Sequence, residues 1–158
     1  SIIGKDGWVL GHERSPAALV AVNKPRSDHQ IAPERILSVA DIDGYETPQT
    51  ASEDVSGSDS HDGMVYTLHR SSRQVCAQNA TPKFTRFRGC RSFAAIELAE
   101  RHAYPSMTYG RAEGLAVTQD RIYIVFDNNS DQRLLDGSSE ALLMEFENPW
   151  TENSTHSD

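Results

Sequence analysis

A chain of 158 residues is long enough for one domain with a sizeable core, yet only 37% of it is hydrophobic and its mean hydropathy is −0.55. The formal net charge of −8 argues against a nucleic-acid partner, whose phosphates need a basic surface; it is compatible with hard cations and basic proteins, and reads first as an ordinary solvated surface. No apolar run reaches the roughly 18–20 residues of a membrane helix, and so polar a chain is a poor candidate for a compact helical enzyme.

From the N-terminus, Trp8-Val9-Leu10-Gly11-His12-Glu13 is the first of three related runs. Val65-Tyr66-Thr67-Leu68-His69-Arg70 and Ile122-Tyr123-Ile124-Val125-Phe126-Asp127 repeat it, so the runs begin at 8, 65 and 122, two equal steps of 57 residues. Each follows an acidic turn (Asp6-Gly7, Asp62-Gly63, Asp120-Arg121) and precedes a polar cluster. A second apolar segment then returns at 17–22, 83–87 and 141–146. Short runs of β-branched and aromatic residues bounded by turn residues predict strands, used here as a hairpin three times over. Strands are expected near 7–12, 17–22, 64–69, 83–87, 115–118, 122–126 and 141–146. Ile122 to Phe126 is apolar on both alternating faces, which predicts a central strand covered on both sides.

The intervening segments are harder to place. Stretches 24–35, 47–62 and 151–158 look too polar to pack, and 47–62 and 71–82 read as surface insertions. Within the first insertion Asp54, Ser56 and Ser58 alternate as calcium ligands would. The EF-hand pattern fails, because Asp59 stands where Gly is needed and Val65 where the bidentate Glu belongs. Arg91 to Arg101 carries helix-forming Ala, Glu and Leu but falls where an outer strand belongs, and it reads as strand or strand plus turn. Cys76 and Cys90 lack zinc-ligand spacing. Either they pair and staple the segment between them, or they are two unrelated thiols. Sequons at Asn79, Asn128 and Asn153, with an even cysteine count, lean towards an oxidising compartment, secreted or periplasmic.

Repeated four-stranded sheets arranged radially solve the problem of exposed edges. The expected fold is therefore all-β: a partial β-propeller of antiparallel blades with loop insertions. Its blade units lie near 1–40, 41–100 and 101–150, followed by a polar tail at 151–158. The chain opens at Ser1 without a signal-peptide pattern, as a fragment or processed chain would, and an unclosed propeller should expose an edge strand and aggregate.

Arg111-Ala112-Glu113-Gly114-Leu115-Ala116-Val117, followed by Ile122 to Asn128, is similar to a pattern in the phytase-like, or esterase-like, β-propeller domains. Asp41-Ile42-Asp43-Gly44 before the strand ending His69-Arg70-Ser71-Ser72 resembles a second copy, with Asp43 in place of the usual Glu. The resemblance spans roughly residues 6–147 and is carried by these two motifs. It implies that Glu113 opens an innermost strand and faces an axial channel, with Asp127 and Asn128 reaching it from the next strand. Glu113, Asp127, Asn128 and Asp43 are then candidate ligands for a Ca²⁺ cofactor, since carboxylate and amide oxygens suit hard cations. A carboxylate that merely locks neighbouring blade turns is the competing reading of Glu113. His69, Arg70 and Arg73 could form a phosphate-binding set, or His12 and His69 could be repeated packing positions.

No Gly-x-Ser-x-Gly elbow, Walker loop, His-Glu-x-x-His or Gly-x-Gly-x-x-Gly is present in the sequence. The expected functions are a calcium-associated hydrolase acting on a phosphorylated or ester small-molecule substrate, or a non-catalytic propeller binding a protein partner. A degenerate domain is the third.

Overall fold

The computed structural model describes residues 54–79, 87–108 and 110–150 throughout, together with four backbone strands within residues 2–38. The described residues form an all-β structure of three antiparallel sheets. The first contains β1 (Ile2–Ile3), β2 (Gly7–His12), β3 (Ala18–Asn23) and β4 (Pro33–Ser38). The second contains β5 (Gly57–His61), β6 (Met64–His69), β7 (Gln74–Asn79) and β8 (Phe87–Ser92). The third contains β9 (Ala112–Val117), β10 (Arg121–Phe126) and β11 (Leu142–Glu147). In each, sequence neighbours are sheet neighbours, so every sheet is a simple meander.

The repeat found in the sequence marks the second strand of each sheet. β2, β6 and β10 begin at 7, 64 and 121, again in steps of 57 residues. Their predicted bounds agree with the structure within a residue, as do those of β3 and β11 within one or two.

Four readings are corrected. The polar stretch 47–62 contains β5, whose small and hydroxylated residues carry no hydrophobic pattern because the strand is held by backbone pairing with β6. The supposed insertion 71–82 contains β7, with Val75, Cys76, Ala77 and Gln78 all buried. The returning strand is therefore β7, and of the predicted 83–87 strand only Phe87 lies among the described residues, opening β8. Stretch 24–35 runs into β4. Beyond Ser92, the segment read as strand turns into the short helix α1 (Ala94–Glu97) and a 3-10 turn at Glu100–His102. The second sheet is already complete at β8, so Ala94, Ala95 and Ile96 follow their helical preference, and the Ser92 hydroxyl accepts the Ala94 N–H at 3.2 Å.

The second and third sheets pack face to face around one core. Tyr66, Leu68, Val75 and Ala77 meet Ile122, Ile124, Phe126 and Val117, with Phe93 set edge-on to Phe126 at 5.6 Å between centroids. Burying side chains of this size contributes about 1.5–3 kcal/mol each. After β11 the chain crosses back: Asn148 donates to the Tyr66 hydroxyl at 3.4 Å, and Trp150 lies edge-on to the Tyr66 ring. Between β7–β8 and β10–β11 the two sheets diverge into a wedge of about 260 Å³ lined by Val75, Phe93, Ile122, Ile124 and Phe146.

At the other end of the wedge β5 lies along β9. The Asp59 carboxylate accepts the Val117 N–H at 2.6 Å, and a Cβ on Gly57 would stand 3.3 Å from Leu115. Contacts 57 to 115 and 59 to 117 advance together, so these two leading strands run in the same direction. β5 also lies beside β1 and β2.

β10 is central in its sheet, as expected, but covered on one face only. Ile122, Ile124 and Phe126 are buried while Val125 is 42% exposed. One neighbouring sheet supplies the cover, and none of the described residues supplies a second.

Candidate functional site

Charged side chains gather where β6 and β10 end and β9 begins. β9 reaches this end through a bulge: Gly114 pairs with Val125 and Ala112 with Phe126, which leaves Glu113 as the extra residue thrown out of the ladder. Its carboxylate meets the guanidinium of Arg70 from the end of β6. Arg70 also lies 3.4 Å from the buried Asp54 carboxylate, which accepts the Ser71 N–H at 3.2 Å and the Ser71 hydroxyl at 3.0 Å. Gly110 brings the chain hard against this turn. Its φ is +72°, and a Cβ there would sit 2.5 Å from the Arg70 carbonyl oxygen, so only glycine fits.

A second, deeper cluster centres on Glu97 and Arg111, each 2% exposed. The Glu97 carboxylate accepts the Arg111 backbone N–H at 2.7 Å and pairs with Arg73 at 2.9 Å. The Arg111 guanidinium donates to the Ser106 and Asn128 carbonyls, pairs with Asp131, and lies 4.3 Å over the Tyr104 ring. Burial raises the Glu97 pKa, and the Arg111 N–H and the Arg73 charge oppose that rise.

Glu113, Asp127 and Asn128 thus come to one end of the β9–β10 pair, and Asp43 lies outside the described residues. Glu113 faces a guanidinium. The Asp127 backbone N–H donates to the Arg111 carbonyl at 2.9 Å. The Asn128 amide donates to the Ser139 carbonyl, and its oxygen accepts the Ser130 N–H at 3.2 Å, so this side chain organises the 128–141 loop. Among the described residues no three His, Cys, Asp or Glu side chains are grouped as a metal would need.

The phosphate set does not assemble. Arg70 and Arg73 each face carboxylates, and His69 is buried at 3% exposure. The His69 Nε2 lies 2.9 Å from the Thr67 hydroxyl, and the ring has a backbone hydrogen bond with Asp54. Burial lowers its pKa to about 4, so it is neutral at pH 7. The unfolded chain then binds the proton more readily than the folded one. Stability is full above pH 6.5 and falls as pH drops towards 4. Relative to His69→Gln, the wild type should lose about 3 kcal/mol more over that interval. Urea melts at several pH values read this difference, and parallel slopes in the two proteins would contradict it.

Cys76 and Cys90 are cross-strand partners in β7 and β8 and form a disulfide, with Cα atoms 4.0 Å apart. The bond thus ties two paired strands, not a free loop.

Sequence reasoning missed Glu97, Arg111 and Asp54 as members of the cluster. Glu97 was hidden in a segment read as strand, and Asp54 in one read as loop. No family model matches the chain, and no curated protein or solved structure is similar enough to count as a match.

Proposed function

We propose that the chain is a non-catalytic module of propeller type, phytase-like or esterase-like in architecture, whose strand-end loops engage a protein partner. The observation that carries this reading is charge matching. At the end where a substrate or cation would bind, Arg70, Arg73 and Arg111 are each met by a carboxylate of the same chain, Glu113 included. Guanidiniums held this way are poorly placed to accept a phosphate, and a carboxylate facing Arg70 is a weakened ligand for calcium. The radial reading draws on the three meanders and on the parallel course of β5 and β9. The disulfide and the sequons favour a secreted or periplasmic setting, although the Asn128 amide is already used by the loop it organises.

A second reading, a calcium-associated hydrolase of phosphorylated or ester substrates, is favoured by one feature. The bulge sets Glu113 at the strand end with its side chain 37% exposed. Calorimetric calcium titration, with assays on nitrophenyl phosphate and nitrophenyl acetate, separates the two. We expect neither calcium heat nor turnover, and a loss of at most about 1 kcal/mol of stability in Glu113→Gln, as for a partly exposed ion pair. Calcium binding or turnover that Glu113→Gln abolishes would establish the hydrolase reading instead.

A further inference from the structure

The wedge between the second and third sheets lies apart from the strand-end cluster and differs from it in chemistry. It encloses about 260 Å³. Val75, Phe93, Ile122 and Ile124 in its walls are each at most 4% exposed, and Phe146 and Pro149 complete the apolar lining. Close-packed interiors hold few voids larger than a water molecule, so a space of this size stands out. Water inside it meets side chains that offer no hydrogen bond, and an apolar occupant displaces such water at a gain.

Two charged residues border the wedge, and strand alternation turns only one of them inward. Arg91 is the cross-strand partner of Val75, so its side chain leaves the second sheet on the face that meets the third. Its guanidinium donates to the neighbouring Cys90 carbonyl at 3.4 Å, and no carboxylate among the described residues pairs with it. Glu147 borders the wedge from β11. It follows Phe146 and so shares the outer face of the third sheet with its partner Arg121 and with Glu145. The Glu147 side chain is 92% exposed and lies 3.9 Å from the Arg121 guanidinium, which also holds Glu145 at 2.9 Å. The wedge is therefore an apolar space with one uncommitted cation on its inner side. The Cys76–Cys90 disulfide fixes that cation in place, because it ties β8 to β7 at the adjacent position.

We propose that the wedge binds a small aryl-alkyl monocarboxylate, with the apolar tail between the sheets and the carboxylate on Arg91. An apolar cavity of roughly 150 Å³ holds benzene. A space of about 260 Å³ thus takes a ring with a short aliphatic arm. The planar guanidinium matches a carboxylate in a two-pronged, charge-assisted pair, which sets the head group. This site shares no residue with the strand-end cluster and stands whether or not that cluster engages a partner.

Isothermal titration of the full chain with 4-phenylbutyrate tests it, with 4-phenylbutanol and 4-phenylbutylamine as neutral and cationic comparators. One equivalent of phenylbutyrate should bind and should raise the melting temperature, as a ligand selective for the folded state does. The alcohol should bind about tenfold more weakly, the factor expected for losing a hydrogen bond between charged groups, and the amine more weakly still. Arg91→Gln should bring phenylbutyrate to the affinity of the alcohol and leave the alcohol unchanged. Arg91 is exposed, so this variant should keep the wild-type far-UV circular dichroism spectrum. Phe146→Trp, which adds a ring to the lining, should weaken phenylbutyrate and the alcohol alike. No stoichiometric binding at millimolar phenylbutyrate, or a lowered melting temperature, would overturn the proposal. A preference for the amine would overturn the head group. Phenylbutyrate binding that survives both Arg91→Gln and Phe146→Trp would place the ligand outside the wedge.

Discussion

Arg73→Met should lower stability at pH 7 by about 3–5 kcal/mol, the cost of leaving a buried charge without its partner. The stranded group is Glu97, 2% exposed, with one carboxylate oxygen on the Arg111 N–H and the other facing Arg73. Burial already raises its pKa, and the Arg73 charge is one of the effects that hold it down. Without Arg73 the pKa climbs further. A carboxyl whose folded pKa is raised stabilises the fold below its unfolded-state value, and that contribution is lost as pH rises through the folded value. The deficit should therefore be small near pH 4, where Glu97 can be neutral in both states, and grow towards pH 7. Urea midpoints at the two pH values read it. Because the penalty belongs to the orphaned carboxylate, Arg73→Met/Glu97→Met should recover much of it, less the Arg111 N–H left without an acceptor. A deficit independent of pH, or a double variant no better than the single, would mean that Arg73 acts through its bond to the Met107 carbonyl instead.

Removing the disulfide should have an effect of similar size. Cys76→Ala/Cys90→Ala should be less stable than the oxidised wild type by about 3 kcal/mol, the gain expected for closing a loop of this length in the unfolded chain. The sequence separation is 14 residues. The folded state has its own stake, since β8 is the last strand of its sheet and carries the Arg88 carbonyl that accepts the Trp150 indole N–H at 3.3 Å. Reducing agent should bring the wild type to the melting temperature of the double variant. Equal stability with and without reductant would contradict the prediction.

What was legible in the sequence was the strand type that buries large side chains. Val65-Tyr66-Thr67-Leu68 and Ile122-Tyr123-Ile124-Val125-Phe126 stand out because they carry the large side chains of the core, and Trp8-Val9-Leu10 repeats their pattern in the sequence. Their β-branched and aromatic residues between turns pointed to the all-β class, and their 57-residue spacing to one such strand in each of the three described sheets. β5 was illegible for the opposite reason. Gly57-Ser58-Asp59-Ser60-His61 contributes backbone hydrogen bonds and close approach to β9, and neither leaves a hydrophobic pattern. β7 was obscured because its inward residues are small and its ends are Gln74 and Asn79.

For the candidate site, the Glu-Gly motif directed attention to Glu113, and the structure turned it towards Arg70 through a bulge that no residue type announces. Only tertiary structure decided that Glu97, Arg73 and Arg111 share one buried cluster, because they come from a helix, a turn and a strand start that meet after the sheets have packed. Strand character is a local property, set by side-chain alternation and by the turns at each end. Which charges neutralise one another depends on sheet stacking and on a β-bulge, and these exist only in the assembled fold.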